Sequence, residues 1–369
     1  MKSILDYIDN YGHLSFDEKE FGPVDSMILS QFSYLKMEKI VPKVGTLMPA
    51  ILIKDMKKSE DLDEMFSDDR YAEANRELFE KMAASVRFGN IGVNHYIDLV
   101  NRKWEMQFSA VTCYLAAGVT HVVYRGTDET VVGWKEDFNM AFTTAIPSQI
   151  KAIDYLRYVS ERIKGDFSLG GHSKGGNLAE YAAMKCSDDI RKRIVRIDSH
   201  DGPGFTKQTL NNYEFEQIKD RICKYVPHSS IVGMLLPNQE EYKVVMAKQF
   251  GILQHDLFNW IVEDDDFVYC DDISTRSLVG DEAINEWAKN ADNEELKTFF
   301  DKLFDIFTRS GIEDLNDFKG NYIGLLQSAL ETSKELTEEE KTHVKNVLNV
   351  LGKSLKNQLI GQIKDRFTP

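Results

Sequence analysis

The sequence has no apolar window long enough to cross a bilayer as a helix; nothing in its 369 residues approaches the roughly 18 to 20 apolar residues a span needs. It also lacks the apolar core of a secretory signal, because Asp6, Asp9 and Asp17 interrupt MKSILDYIDNYGHLSFDEKEF. Cysteine is scarce. Cys113, Cys186, Cys223 and Cys270 are widely spaced, with no CxxC pair and no partnering histidine pattern, so neither a zinc site nor a disulfide framework is expected. Reduced thiols in a cytoplasmic protein are the plain reading. Positive charge is in deficit, with 45 basic against 60 acidic residues and a net charge of −15. Bulk charge of that sign repels nucleic acid and anionic membrane surfaces. No internal repeat or low-complexity linker is present, and 42% hydrophobic with 28% charged residues suits an ordinary globular core.

The periodicity of the chain changes twice. Residues 1 to 107 read mainly as helix, with Asp25 as an N-cap for SMILSQFSYLKM and a second helical run over 70 to 88. From 107 onward short strands alternate with helices: QFSAVTCYLAAGVTHVVYRGT gives two strands, IPSQIKAIDYLRYVSERIKG an amphipathic helix, FSL a strand, and NLAEYAAMKC a helix. RIVRID, RICKYV, YKVVMA and FVY are further strands. This alternation predicts an α/β fold, a mostly parallel central sheet with helices on both faces. After about 280 the chain is helical again, with a capping box at Thr337 and Glu340. The expected division is 1–106 as a helical region packed on the core, 107–280 as the core, and 281–369 as a C-terminal helical region.

FSLGGHSKGGNLAEY, residues 167–181, places a G-x-S-x-G pattern between a strand and a helix. At such a corner the serine takes strained backbone angles, and its neighbours two before and two or three after must be small. Gly171, Gly175 and Gly176 occupy those positions. The helix beginning near Asn177 aims free N–H groups and its positive end at Ser173, and the N–H of Lys174 is placed for a developing oxyanion. A glycine-rich turn with an incidental serine is the bland alternative. A phosphate cradle is a weaker rival, because GGHSKGG lacks the G-x-x-x-x-G-K-[ST] spacing.

A serine needs a base and an orienting acid to attack an ester at neutral pH. His200, His228 and His255 follow Ser173 outside the terminal helix. His255, in GILQHDLFNW, comes after nearly all the strands and is favoured as base, while His172 is expected to point away from the serine. Asp201, in the turn HDGPGF, is the favoured acid, with Asp198 at the strand end as its competitor. Thr127, after Arg125 and Gly126 at the end of an apolar strand, offers its N–H and hydroxyl as the second oxyanion donor. Trp134 and Asp137 would hold that loop.

These residues resemble the class 3, or fungal-type, lipases of the α/β-hydrolase fold: YRGT…W…D looks like their oxyanion-loop signature and GHSKGGNLA like their nucleophile elbow. More closely, residues 1 to about 270 are similar to a bacterial family of lipase-like proteins, the Mbeg-like proteins, through FGPVDSMILSQFSYL, YRGTDETVVGWKEDFNMAF, HDGPGF, PHSSIVGMLL and QHDLFNW. The resemblance implies Ser173 as nucleophile, Thr127 and the Lys174 amide as oxyanion hole, and His255 as base. One position departs. Where fungal-type lipases carry the acid, in a segment like D-I-V-P, this chain reads SSIVG and has Ser230, so Asp201 would act from one strand earlier. The expected function is hydrolysis of carboxylic esters through an acyl-enzyme, with acyl lipids and thioesters among the substrate classes. No cofactor or metal is expected, and segment 138–147, FNMAFTTAIP, stands where a lid would be. The competing function is a silent hydrolase scaffold that binds a ligand or a protein partner.

Overall fold

The structure is a computed structural model and describes residues 2–67, 71–115, 118–128, 130–140, 145–210, 212–230, 232–233, 241–249 and 251–271. The helices expected beyond 280, Thr337 and Glu340 included, lie outside these residues, as do 141–144 of the expected lid segment. The chain divides into two compact units, Met1–Asp128 with Val132–Leu278 and Glu129–Val131 with Val279–Pro369. The sheet belongs to the first.

Its strands are β1 (Ile51–Leu52), β2 (Gly92–Asn101), β3 (Met106–Tyr114), β4 (Val119–Tyr124), β5 (Asp166–His172), β6 (Ile194–His200), β7 (Ile222–Pro227) and β8 (Tyr242–Val245). They lie side by side in chain order, and Tyr269–Cys270 pairs beyond β8. β1 to β4 pair antiparallel, β4 to β8 pair parallel, and Tyr269–Cys270 returns antiparallel. The fold is α/β. Parallel neighbours need a crossover, which helices supply for each step from β4 to β7.

Period-2 alternation along the strands sorts the core into two layers. Val111, Cys113 and Val123 face one cluster with the helices α1 (Ile4–Tyr11), α2 (Pro23–Phe32) and α3 (Ala72–Ala84). Their neighbours Ala110, Val122 and Tyr124 face a second cluster. α4 (Val131–Asn139) follows β4. The second layer is completed by α5 (Pro147–Arg162) and α6 (Lys174–Lys185), which contribute Leu156, Val159, Leu178 and Ala182. α2 is buried from Val24 onward, with Ile28, Leu29 and Phe32 at 0% exposure. Each such side chain contributes about 1.5–3 kcal/mol of apolar burial.

Two local expectations are corrected. β2 falls inside the region read as mainly helical. Its alternation is broken by a bulge between Asn94 and Ile97, where His95 has φ 54°, and a bulge hides a strand from a period-2 reading. Asp25 is not an N-cap: α2 begins at Pro23, and Asp25 lies in its first turn, accepting from the Gly22 N–H at 2.8 Å. Its carboxylate also takes two 2.6 Å bonds from Arg87, with both side chains fully buried, and one from the Tyr7 hydroxyl at 3.1 Å. Such a pair fixes how α1, α2 and the chain around Arg87 meet.

Candidate functional site

β5 ends at His172, and α6 begins at Lys174, three residues before the expected start. Ser173 between them has φ 57° and ψ −133°, a conformation that costs a side-chain-bearing residue about 1–3 kcal/mol. Close approach explains the glycines. A Cβ on Gly175 would sit 2.1 Å from the Tyr124 carbonyl oxygen, and one on Gly171 would sit 2.2 Å from the Gly175 carbonyl carbon. The Ser173 N–H donates to the His200 carbonyl at 2.9 Å, tying the corner to β6.

β6 leaves the sheet at the same level, since His172 and His200 are register partners. Asp201 follows with φ 52°, and its N–H donates to the Tyr225 carbonyl at 2.8 Å. Its carboxylate is 1% exposed. Oδ2 accepts from His255 Nδ1 at 2.7 Å, which leaves Nε2 as the lone-pair nitrogen of the neutral ring. Oδ1 accepts from the Ser230 hydroxyl and, at 3.0 Å, from the Gly233 N–H. Ser230, the point of departure from the fungal-type pattern, therefore serves the carboxylate one strand away.

The competing residues go elsewhere. Asp198 is fully buried and accepts from Arg196 Nε and Nη2 at 2.8–2.9 Å. Burial pushes its carboxyl up, against the pull of Arg196. His200 stacks on Tyr225, and burial pushes its imidazole down to about 3. His228 lies within 3.0 Å of the Gln254 amide, and burial lowers it too. His172, expected to point away from the serine, sets its ring 4.3 Å from that of His255, centroid to centroid, and its Nε2 donates to the His255 carbonyl at 2.7 Å.

Thr127 follows β4, and its hydroxyl donates to Asp137 Oδ1 and Oδ2 at 2.7 and 2.6 Å. A hydroxyl has one proton, so the expectation that it also donates into the site is corrected: the N–H is what remains. That N–H has no partner among the described residues. As the first residue of α6, Lys174 has no acceptor for its N–H within the helix. Burial pushes the Asp137 carboxyl up to about 6, while Lys174 and the Thr127 hydroxyl pull it down. The Trp134 side chain lies outside the described residues. Gly126 rests against the corner, where a Cβ would come 3.1 Å from that of Ser173.

The Lys174 side chain is fully buried. Its ammonium donates to the Gln107 carbonyl and Oε1 at 2.9 and 2.8 Å and to Glu136 Oε2 at 3.1 Å. Glu136 also accepts the N–H groups of Gln107 and Ser148 at 2.9 and 2.8 Å. This network joins β3, α4, α5 and the start of α6, so the two candidate N–H donors are held by one buried scaffold. Arg125 adds a bidentate 2.8 Å bond to Asp98 on β2. Ser230, Glu136 and His172 were not read from the sequence as site residues; only the Ser230 departure gave a signal. Among the described residues no group of His, Cys, Asp or Glu is assembled to hold a metal ion. No helix among them is long and apolar enough to cross a membrane.

Fold and site together define an α/β protein with a serine at a strained strand–helix corner and a His–Asp pair whose histidine ring packs on the residue before that serine. The chain belongs to the Mbeg1-like family, whose model matches residues 82–305. Among solved structures it is similar to M37 lipase, with a TM-score of 0.34 and 13% identity over 56% of this chain and 67% of that one. No curated protein matches the sequence.

Proposed function

We propose that the protein is a cytoplasmic serine hydrolase of carboxylic esters that works through an acyl-enzyme. The observation that carries this reading is the 2.7 Å His255–Asp201 bond, made by a ring that packs on the residue preceding Ser173. In this reading Ser173 Oγ attacks the ester carbonyl as its proton passes to His255 Nε2. Asp201 holds the ring in the required tautomer and stabilises the imidazolium. The N–H groups of Thr127 and Lys174 receive the oxyanion. Collapse of the tetrahedral intermediate breaks the bond to the leaving alcohol, which takes the proton from Nε2. Water then repeats the sequence on the acyl-enzyme and frees the acid.

A small, mostly polar hollow lined by Met140, Gln149, Asn177, Tyr181, Thr206 and Thr209 lies beside α6, too small to hold an acyl chain. Acyl lipids and thioesters fall within the proposed acyl-enzyme chemistry. Four free cysteines fit a reducing compartment.

Fluorophosphonate labelling of the purified protein tests the proposal. Stoichiometric labelling that Ser173→Ala and His255→Ala abolish is the expected result. A folded protein that does not label would overturn the serine-hydrolase reading and support a silent scaffold that binds a ligand or partner. A p-nitrophenyl ester series from short to long acyl chains then reads the preferred chain length.

A further inference from the structure

The imidazole of His172 has no part in the chemistry above, yet it is 7% exposed and bonded at both nitrogens. Nε2 faces the His255 carbonyl at 2.7 Å. A carbonyl only accepts, so Nε2 carries a proton. Nδ1 lies 2.9 Å from the Tyr34 hydroxyl, which donates to it when the ring is neutral. Tyr34 comes from the chain just beyond α2, far from the site in sequence, and its hydroxyl is wedged against the oxyanion loop: a Cβ on Gly126 would lie 2.2 Å from it. The His172 ring also covers that of His255 at 4.3 Å and 36°.

We propose that His172, set in its Nε2–H tautomer by Tyr34, is a positioning residue for His255. The inference rests on the hydrolase reading above. Asp201 fixes the His255 ring at Nδ1 alone, and one bond leaves the ring free to swing about it. His172 removes that freedom in two ways, by holding the main chain of His255 through its carbonyl and by presenting a flat neighbour to its ring. Both act on where Nε2 points and neither touches the substrate, so the effect belongs in turnover and not in substrate binding. Tyr34 links this setting to the N-terminal helices, which otherwise stand outside the chemistry.

The test combines p-nitrophenyl acetate kinetics with side-chain 15N spectra of the histidines in the full chain. His172→Ala is expected to lower kcat about tenfold or more with KM within about twofold, as a misaimed base does. His172→Gln, which keeps an N–H donor, should recover part of that loss. Tyr34→Phe should cost about threefold in kcat, the worth of one neutral hydrogen bond, and it serves as the test if His172→Ala does not fold. The spectra should show His172 protonated at Nε2 and not at Nδ1, and the His255 resonances should shift in both Tyr34→Phe and His172→Ala. An active wild type with folded His172→Ala and Tyr34→Phe variants that keep its kcat overturns the inference, as does an Nδ1–H tautomer at His172. A wild type inert to fluorophosphonate whose spectra still show the tautomer and the shifts would sink the hydrolase reading and leave the positioning of His255 standing.

Discussion

Ser230→Ala removes one hydroxyl and tests the whole arrangement around the candidate acid. Asp201 Oδ1 accepts from that hydroxyl and from the Gly233 N–H, and the carboxylate is 1% exposed. Water therefore cannot replace the lost donor without opening the loop. A hydrogen bond to a charged group is worth about 1.5–3 kcal/mol, and its loss should weaken both the fold and the hold on the carboxylate. We expect urea unfolding to show a loss of about 1–2 kcal/mol and kcat/KM for a p-nitrophenyl ester to fall about tenfold, equivalent to about 1.4 kcal/mol in the barrier. Ser230→Asp should be worse. It sets a second carboxylate within hydrogen-bond reach of the first, and two such groups cannot both ionise at neutral pH. Its activity should therefore fall further at pH 8 than at pH 6. The exchange variant, Asp201→Ser with Ser230→Asp, restores one carboxylate and one hydroxyl with their strands swapped, and should recover activity relative to Ser230→Asp alone. If Ser230→Ala stays within twofold of wild type in rate and within about 0.5 kcal/mol in stability, the range of a neutral surface change, the hydroxyl does not serve the acid and the reasoning fails.

Other sites give further tests. Gly175→Ala forces a Cβ to 2.1 Å from a backbone oxygen, which no side-chain movement relieves. It should destabilise by about 3 kcal/mol or more, read by urea unfolding, and abolish fluorophosphonate labelling at any temperature where the protein remains folded. The Asp137 carboxyl, raised to about 6 in the fold from its ordinary 3.8, binds its proton more tightly folded than unfolded. Its ionisation therefore costs stability as pH rises from about 4 through 6, and Asp137→Asn should raise the melting temperature more at pH 7.5 than at pH 4.5. An equal effect at both values would show that the carboxyl is not raised. Protonation of Asp137 also weakens the acceptor that holds Thr127, so Asp137→Asn should remove an ionisation near 6 from the acid limb of kcat/KM. Asp25→Asn strips the charge that Arg87 is buried against and should cost about 3–5 kcal/mol in urea unfolding, with little change in the labelling rate of the protein that remains folded.

The sequence made the strands from 107 onward legible because each is short, apolar and followed by a turn. It hid β2 because the bulge at His95 breaks the alternation, and it misplaced Asp25 because a carboxylate near a helix start reads alike as a cap or as a first-turn residue. Of the site, the glycines could be read because their reason is local: the corner collides with itself. The roles of Glu136, His172 and Ser230 depend on which strands become neighbours. Glu136 reads as one more acidic residue on a helix until Lys174, from another element, is found buried against it. Tyr34 is more remote still, since its bond to His172 spans 138 positions.

The register between β5 and β6 gives the site its logic. His172 and His200 are paired, so Ser173 and Asp201 are the first residues beyond equivalent points on adjacent parallel strands, and both take positive φ. The two segments even read alike, H-S-x-G-G and H-D-G-P-G. Parallel strands present their carboxyl ends on one edge of the sheet, and residues that leave that edge at one level project side by side. Strain at two such neighbouring points persists only where surrounding contacts over-determine it. Here those contacts are the Ser173 N–H on the His200 carbonyl and the Asp201 N–H on the Tyr225 carbonyl, each borrowing an acceptor from the next strand. The candidate acid, on β6 instead of β7, thus lies one strand from the serine, about 4.8 Å in sheet spacing, and in the proposed site the loop bearing His255 has a shorter span to close. Ser230, left on β7's side of that gap, donates across it.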